Sequence, residues 1–179
     1  MPRWIITRKA IPALANALTI CRIIFSLALL VPPALSPAFL AVYAAAGLTD
    51  MADGYIARRT NTESELGARL DSIADFTLAA VCLVKILPAI TVPIWLWIWV
   101  SLIIMVKAVN VISGFVMEKR LVLPHTIANK VAGIAVFLVP FALPFMDIAI
   151  PAIPACAIAT FAAVQEGHFI RTGKAESPS

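Results

Sequence analysis

The sequence predicts an all-α polytopic membrane protein: six transmembrane helices in a bundle formed by residues 1–171, followed by a small, polar, disordered tail at 172–179. Three observations lead there. Of 179 residues, 61% are hydrophobic and only 13% charged, against roughly 45–50% apolar in ordinary soluble domains, and so short a chain cannot hide them all in a globule. The apolar residues fall into six runs, at about 11–32, 36–57, 66–87, 92–117, 122–145 and 148–170, each near the roughly 20 residues that a span requires. The breaks alternate between proline-rich turns almost without charge and turns rich in Lys and Arg.

Residues 2–12, Pro-Arg-Trp-Ile-Ile-Thr-Arg-Lys-Ala-Ile-Pro, read equally as a short helix in the headgroup layer or as a basic flank that orients the first span. The first run is too long for the core of a cleavable signal and carries Arg22, so it is a retained span. It ends at Pro32-Pro33 with Pro37. Arg58, Arg59 and Arg69 surround the turn between runs two and three, and Lys85 near the outer end of run three reads as a snorkelling anchor. Pro88 and Pro93 mark the next break, after which Trp95, Trp97 and Trp99 belong at the interface. Lys119, Arg120 and Lys130 surround the fourth-to-fifth turn, the region of Pro144 and Pro151 separates runs five and six, and Arg171 and Lys174 follow the last span. The positive-inside rule makes both termini and the two basic turns cytoplasmic.

The net charge of +4, from 14 basic and 10 acidic residues, is accounted for by these flanks and calls for no nucleic-acid partner. Cys21, Cys82 and Cys156 are odd in number and far apart, offering neither a disulfide framework nor a zinc knuckle, and read as small core residues. His125 and His168, near cytoplasmic helix ends, read as structural or solvated.

Four of the ten acidic residues form two pairs, Asp50/Asp53 at the cytoplasmic end of span two and Asp71/Asp75 just inside span three. Spacings of i,i+3 and i,i+4 project each pair from one helix face, and antiparallel helices bring the pairs together. Four carboxylates converging at the edge of a bilayer would repel and desolvate one another unless hard cations neutralised them. Magnesium, manganese or calcium is the implied partner; all-oxygen ligation argues against zinc or copper, and four carboxylates suit two ions. Gly54, Ala57 and Gly67 strip the acidic faces of bulk, which permits either tight helix packing or close approach of a ligand to the backbone. Arg58 beside the acidic face suits a diphosphate held jointly by a guanidinium and divalent ions, whereas Arg59 reads as an anchor.

The run Asp50-Met-Ala-Asp53-Gly54-Tyr-Ile-Ala57-Arg58, eight residues, then Gly67-Ala-Arg-Leu-Asp71-Ser-Ile-Ala-Asp75 resembles without a gap D-x2-D-G-x2-A-R-x8-G-x3-D-x3-D, the signature of the CDP-alcohol phosphotransferase family. Asn16-Ala-Leu-Thr19-Ile-Cys-Arg22 is similar to the N-L-T-x-x-R stretch that opens the first span of bacterial members. The resemblance implies that family's six-helix bundle, usually a homodimer. It also implies transfer of a substituted phosphate from a CDP-linked donor to an alcohol, with release of CMP. Carried over residue by residue, Asp50, Asp53, Asp71 and Asp75 resemble ligands of two divalent cations, Mg or Mn, with Asp75 also the general base for the acceptor hydroxyl. Gly54, Ala57, Arg58 and Gly67 resemble the nucleotide and diphosphate contacts.

CDP-diacylglycerol is the expected donor, since its diphosphate lies at headgroup level while its acyl chains stay in lipid. The size of the chain and its Asn16-to-Arg22 stretch resemble the branch that forms phosphatidylglycerophosphate, whose acceptor is glycerol 3-phosphate. That branch commonly reads L-D-P-x-A-D-K, whereas here Leu70-Asp71-Ser72-Ile73-Ala74-Asp75-Phe76 is closer to members that use serine, so serine, inositol and inositol phosphate stay open as acceptors. Lys107, roughly 15 Å from the cytoplasmic end of span four, is too deep for easy snorkelling and suits an acceptor phosphate; one of the Asp carboxylates is its competing partner. Arg120 and Lys130 are the further candidates for that pocket. The rival from another class is a small cation transporter or channel, which predicts carboxylates near the midplane of several spans.

Overall fold

The computed structural model describes residues 19–60, 65–118 and 126–172. Among them every regular element is helical, as the sequence predicts. The chain divides into two compact units, Met1–Ile90 and Thr91–Ser179.

The first unit holds α1 (Thr19–Ala28), α2 (Pro37–Thr60), α3 (Glu65–Ile86) and a short 3-10 turn, Leu87–Ala89. Thr19, Arg22, Ser26 and Leu29 are all buried and recur at i, i+3, i+7 and i+10, one stripe of a helix. The stripe is mostly polar: the Ser26 hydroxyl donates to the Arg22 carbonyl at 2.7 Å, and the Arg22 guanidinium meets aspartates of α2 and α3. α1 closes in a tight turn, with Leu30 N–H bonded to Leu27 O and Val31 N–H to Ala28 O, just before the prolines that cannot continue a helix. The Ser36 hydroxyl then accepts from Phe39 N–H at 3.1 Å, capping the start of α2. On α2 the buried residues Phe39, Tyr43 and Ala46 form a face that leads directly to Asp50. Arg22 meets Asp71 and Asp75, while Lys85 Nζ donates to the Leu30 carbonyl at 3.0 Å. Since both chain segments advance in the same sense between these contacts, α1 and α3 run parallel.

The second unit holds α4 (Ile94–Glu118), α5 (Ile127–Ala142) and α6 (Ala149–Arg171). α4 and α6 are each long and apolar enough to cross a membrane. They also run parallel: Leu96 packs with Ala152 and Cys156, the Trp99 indole N–H donates to the Thr160 hydroxyl at 3.0 Å, and Asn110 Nδ2 donates to the Ala163 carbonyl at 2.7 Å. Gly167 lets the helices approach there, because a Cβ on it would lie 2.6 Å from Asn110 Oδ1.

The structure refines several sequence expectations. α5 is shorter than its apolar run, about 24 Å, because Thr126 caps it: its hydroxyl accepts from Asn129 N–H at 3.1 Å. Pro151 lies in the first turn of α6 rather than in the break, where a missing N–H costs nothing. Cys156 is buried, but Cys21 is exposed, because it lies off the Thr19–Arg22–Ser26 stripe. Trp99 ties two helices together, whereas Trp95 and Trp97 remain exposed. His168 is exposed at the end of α6. Residues 2–12, Asn16, His125, Lys174 and the 173–179 part of the tail lie outside the described residues.

Candidate functional site

In the first unit, three helices place four charged side chains together. α1 supplies Arg22, α2 supplies Asp50, and α3 supplies Asp71 and Asp75 on successive turns. Arg22 Nη1 lies 2.7 Å from Asp50 Oδ1 and 2.5 Å from Asp75 Oδ1, and Nη2 lies 2.7 Å from Asp71 Oδ1. The guanidinium is fully buried, while the carboxylates' side chains are 49%, 48% and 60% exposed. Arg22 is thus the floor of the cluster and the aspartates its rim. A buried guanidinium without partners would cost several kcal/mol, so the position of α1 depends on these carboxylates.

One oxygen from each of Asp50, Asp71 and Asp75 lies within 4.8 Å of the others, close enough for a shared hard cation. Three carboxylates against one guanidinium leave an excess of two negative charges. The donor set is entirely oxygen, which suits Mg, Mn or Ca rather than a softer metal. The side chains of Asp53, Gly54, Ala57 and Arg58 lie outside the described part of the structure, although α2 continues as helix through them to Thr60. Gly67 lies on α3 one turn before Asp71.

The chain matches the family described as CDP-alcohol phosphatidyltransferase over residues 12–165, a stretch that takes in the whole aspartate signature. The chain belongs to that family. Within it, 93 residues are 36% identical to the cardiolipin synthase (CMP-forming) of Rattus norvegicus and 37% identical to that of Homo sapiens. Each match takes in 50% of this chain and 30% of the relative, so the chain spans only a minor part of those proteins' length. No solved structure matches.

The other charged site of this family member is in the second unit. Lys107 Nζ donates to Glu166 Oε2 at 3.2 Å and to Asn129 Oδ1 at 3.1 Å, and Asn129 Nδ2 donates to Glu166 Oε2 at 2.9 Å. The triangle joins α4, α5 and α6. The Glu166 side chain is 5% exposed and that of Lys107 41%, so the carboxylate is held deep and the ammonium reaches outward. Within this unit the anion beside Lys107 is Glu166. Lys130, next to Asn129 on α5, is exposed, and Arg120 lies outside the described residues.

Sequence reasoning missed Arg22 as a partner of the aspartates and Glu166 as a partner of Lys107. The signal available for both was the same: an ionisable residue inside an apolar run is expensive without an opposite charge.

Proposed function

We propose that this chain is an integral membrane phosphatidyltransferase that moves the phosphatidyl group of CDP-diacylglycerol to an alcohol, most readily glycerol 3-phosphate, and releases CMP. The observation that carries the reading is the convergence of Asp50, Asp71 and Asp75 within the matched family region. Asp50, Asp53, Asp71 and Asp75 would hold two divalent cations, Mg or Mn, which when bound supply Lewis-acid stabilisation of charge on the diphosphate. Gly54, Ala57 and Gly67 leave the backbone open to the nucleotide, and Arg58 offers a bidentate guanidinium to a phosphate. Asp75 takes the proton of the acceptor hydroxyl. Lys107, Arg120 and Lys130 bind the acceptor's phosphate, with Glu166 and Asn129 holding the Lys107 ammonium in place.

The enzyme is multi-pass in the cell membrane, six spans with the site and both termini facing the cytoplasm, and works as a homodimer. Support for the membrane setting comes from α4 and α6 and from the many exposed large apolar side chains, among them Phe76, Ile94, Phe115 and Phe145. The transporter reading predicts carboxylates distributed over several spans; the gathering of three on one buried Arg favours the enzyme.

The relatives' name gives a second acceptor reading. Cardiolipin carries two phosphatidyl groups on one glycerol, so CMP-forming synthesis from CDP-diacylglycerol would use phosphatidylglycerol. The test is the full chain in lipid vesicles with CDP-diacylglycerol, Mg or Mn, and in turn glycerol 3-phosphate, phosphatidylglycerol, serine, inositol and inositol phosphate. CMP and phosphatidylglycerophosphate are expected with the first. CMP with another acceptor alone reassigns the substrate, and none with any acceptor defeats the enzyme reading.

A further inference from the structure

Arg22 contacts all three aspartates of the cluster, and it does so from a fully buried position on a different helix from any of them. Its three contacts use one Oδ1 atom of each carboxylate. A divalent cation bound by these side chains would draw on the same negative charge, within a few ångströms of the guanidinium. Two opposing effects follow: the guanidinium holds the carboxylates in register, and its positive charge repels a second cation. α2 and α3 fix the backbone positions of the aspartates, so Arg22 serves them more by neutralisation than by placement, and at such a separation its repulsion of a cation outweighs its ordering effect.

Resting on the reading of the cluster as a divalent-cation site, we infer that Arg22 is its resident counter-ion, which neutralises the aspartates between metal-binding events and sets how tightly the metal is held. Arg22 thereby keeps α1 packed on α2 and α3 whatever the metal supply, and keeps the site from holding its cation too tightly.

The test uses the full chain purified in detergent and stripped with a chelator. Mn binding is followed by the EPR signal of free Mn, and helix unfolding by circular dichroism. Arg22→Gln is expected to unfold at a lower temperature than wild type in chelator and to recover more on adding Mn. Its Mn affinity should tighten about tenfold or more, the scale of removing a like charge from within about 5 Å at a half-exposed site. Arg22→Lys, which keeps the charge, should bind Mn much as wild type does. A folded Arg22→Gln that binds Mn equally or more weakly overturns the inference. A second measurement needs no Arg22 variant: with 15N-labelled arginine, Mg should shift the Arg22 side-chain signals saturably in wild type but not in Asp71→Asn, and no shift in wild type overturns it. Absence of Mn binding to wild type, or binding unchanged in Asp71→Asn, would instead defeat the cation-site reading on which the inference stands.

Discussion

Each carboxylate of the cluster meets Arg22 through one oxygen, and on the proposed reading the reaction asks different things of each. Asp71, on Nη2 alone, is predicted to be a ligand without a proton-transfer role. Asp71→Asn should abolish CMP release and weaken Mn binding, and a variant with normal turnover would remove Asp71 from the site. Asp75→Asn should keep most binding of the CDP-lipid, measured by equilibrium binding to vesicles, and lose transfer, since a base is needed only for the acceptor's proton. Equal loss of both would make Asp75 chiefly a ligand. At the second charged site the two partners are unequal. Lys107→Met strands a buried Glu166 carboxylate and should cost about 3 kcal/mol of unfolding free energy, the low end for a broken buried pair. Glu166→Gln leaves an ammonium that can reach outward, and should cost less. The opposite order, measured by denaturation in detergent, would mean that the stranded ammonium costs more than the stranded carboxylate. For catalysis, Lys107→Gln should weaken glycerol 3-phosphate about ten- to hundredfold with CDP-lipid nearly unaffected.

Along the helices, the α4–α6 seam rests on close approach rather than on bulk. Ala152, Ala155, Cys156, Ala162 and Ala163 are buried, and small residues let membrane helices meet where lipid gives apolar side chains no reason to leave it. Gly167→Ala places a methyl 2.6 Å from Asn110 Oδ1, so it should destabilise by about 1–3 kcal/mol. Asn110→Ala alone loses the bond to the Ala163 carbonyl, but it also clears space for the methyl. The double variant should therefore cost less than the two single costs together; simple additivity would show that the seam yields elsewhere. Helix existence was legible in the apolar runs because length and hydrophobicity are local properties. The gathering of Asp50 with Asp71 and Asp75 was legible too, since i,i+4 spacing puts the last two on one face of α3. Arg22 with Asp71 and Lys107 with Glu166 were not, being 49 and 59 residues apart. Such pairings depend on which helix lies beside which, and no periodicity encodes that. Pro151 misled for a simpler reason: proline breaks a helix interior but is at home in a first turn.

For the molecule as a whole, the direction of each helix is the quantity that ties sequence to placement in a bilayer. Parallel α1 and α3 within the first unit, and parallel α4 and α6 within the second, are what alternating passages through a membrane require. On the proposed topology basic residues choose the sign: Arg58, Arg59 and Arg69 around the second-to-third turn, Lys119, Arg120 and Lys130 around the fourth-to-fifth, and Arg171 and Lys174 after α6 are expected on the cytoplasmic side, where such residues are retained. The turn from Leu87 to Pro93 carries no charge and is expected outside. This predicts opposite accessibility for two engineered thiols in a full chain whose Cys21, Cys82 and Cys156 have been replaced by Ala. Thr91→Cys, at an exposed position, should react with a membrane-impermeant maleimide on intact cells. Ser179→Cys should react only after the membrane is opened. Labelling of both from outside would require an even number of spans between them, and reversed labelling would place the aspartate cluster on the face away from a cytoplasmic supply of CDP-lipid headgroups and divalent ions.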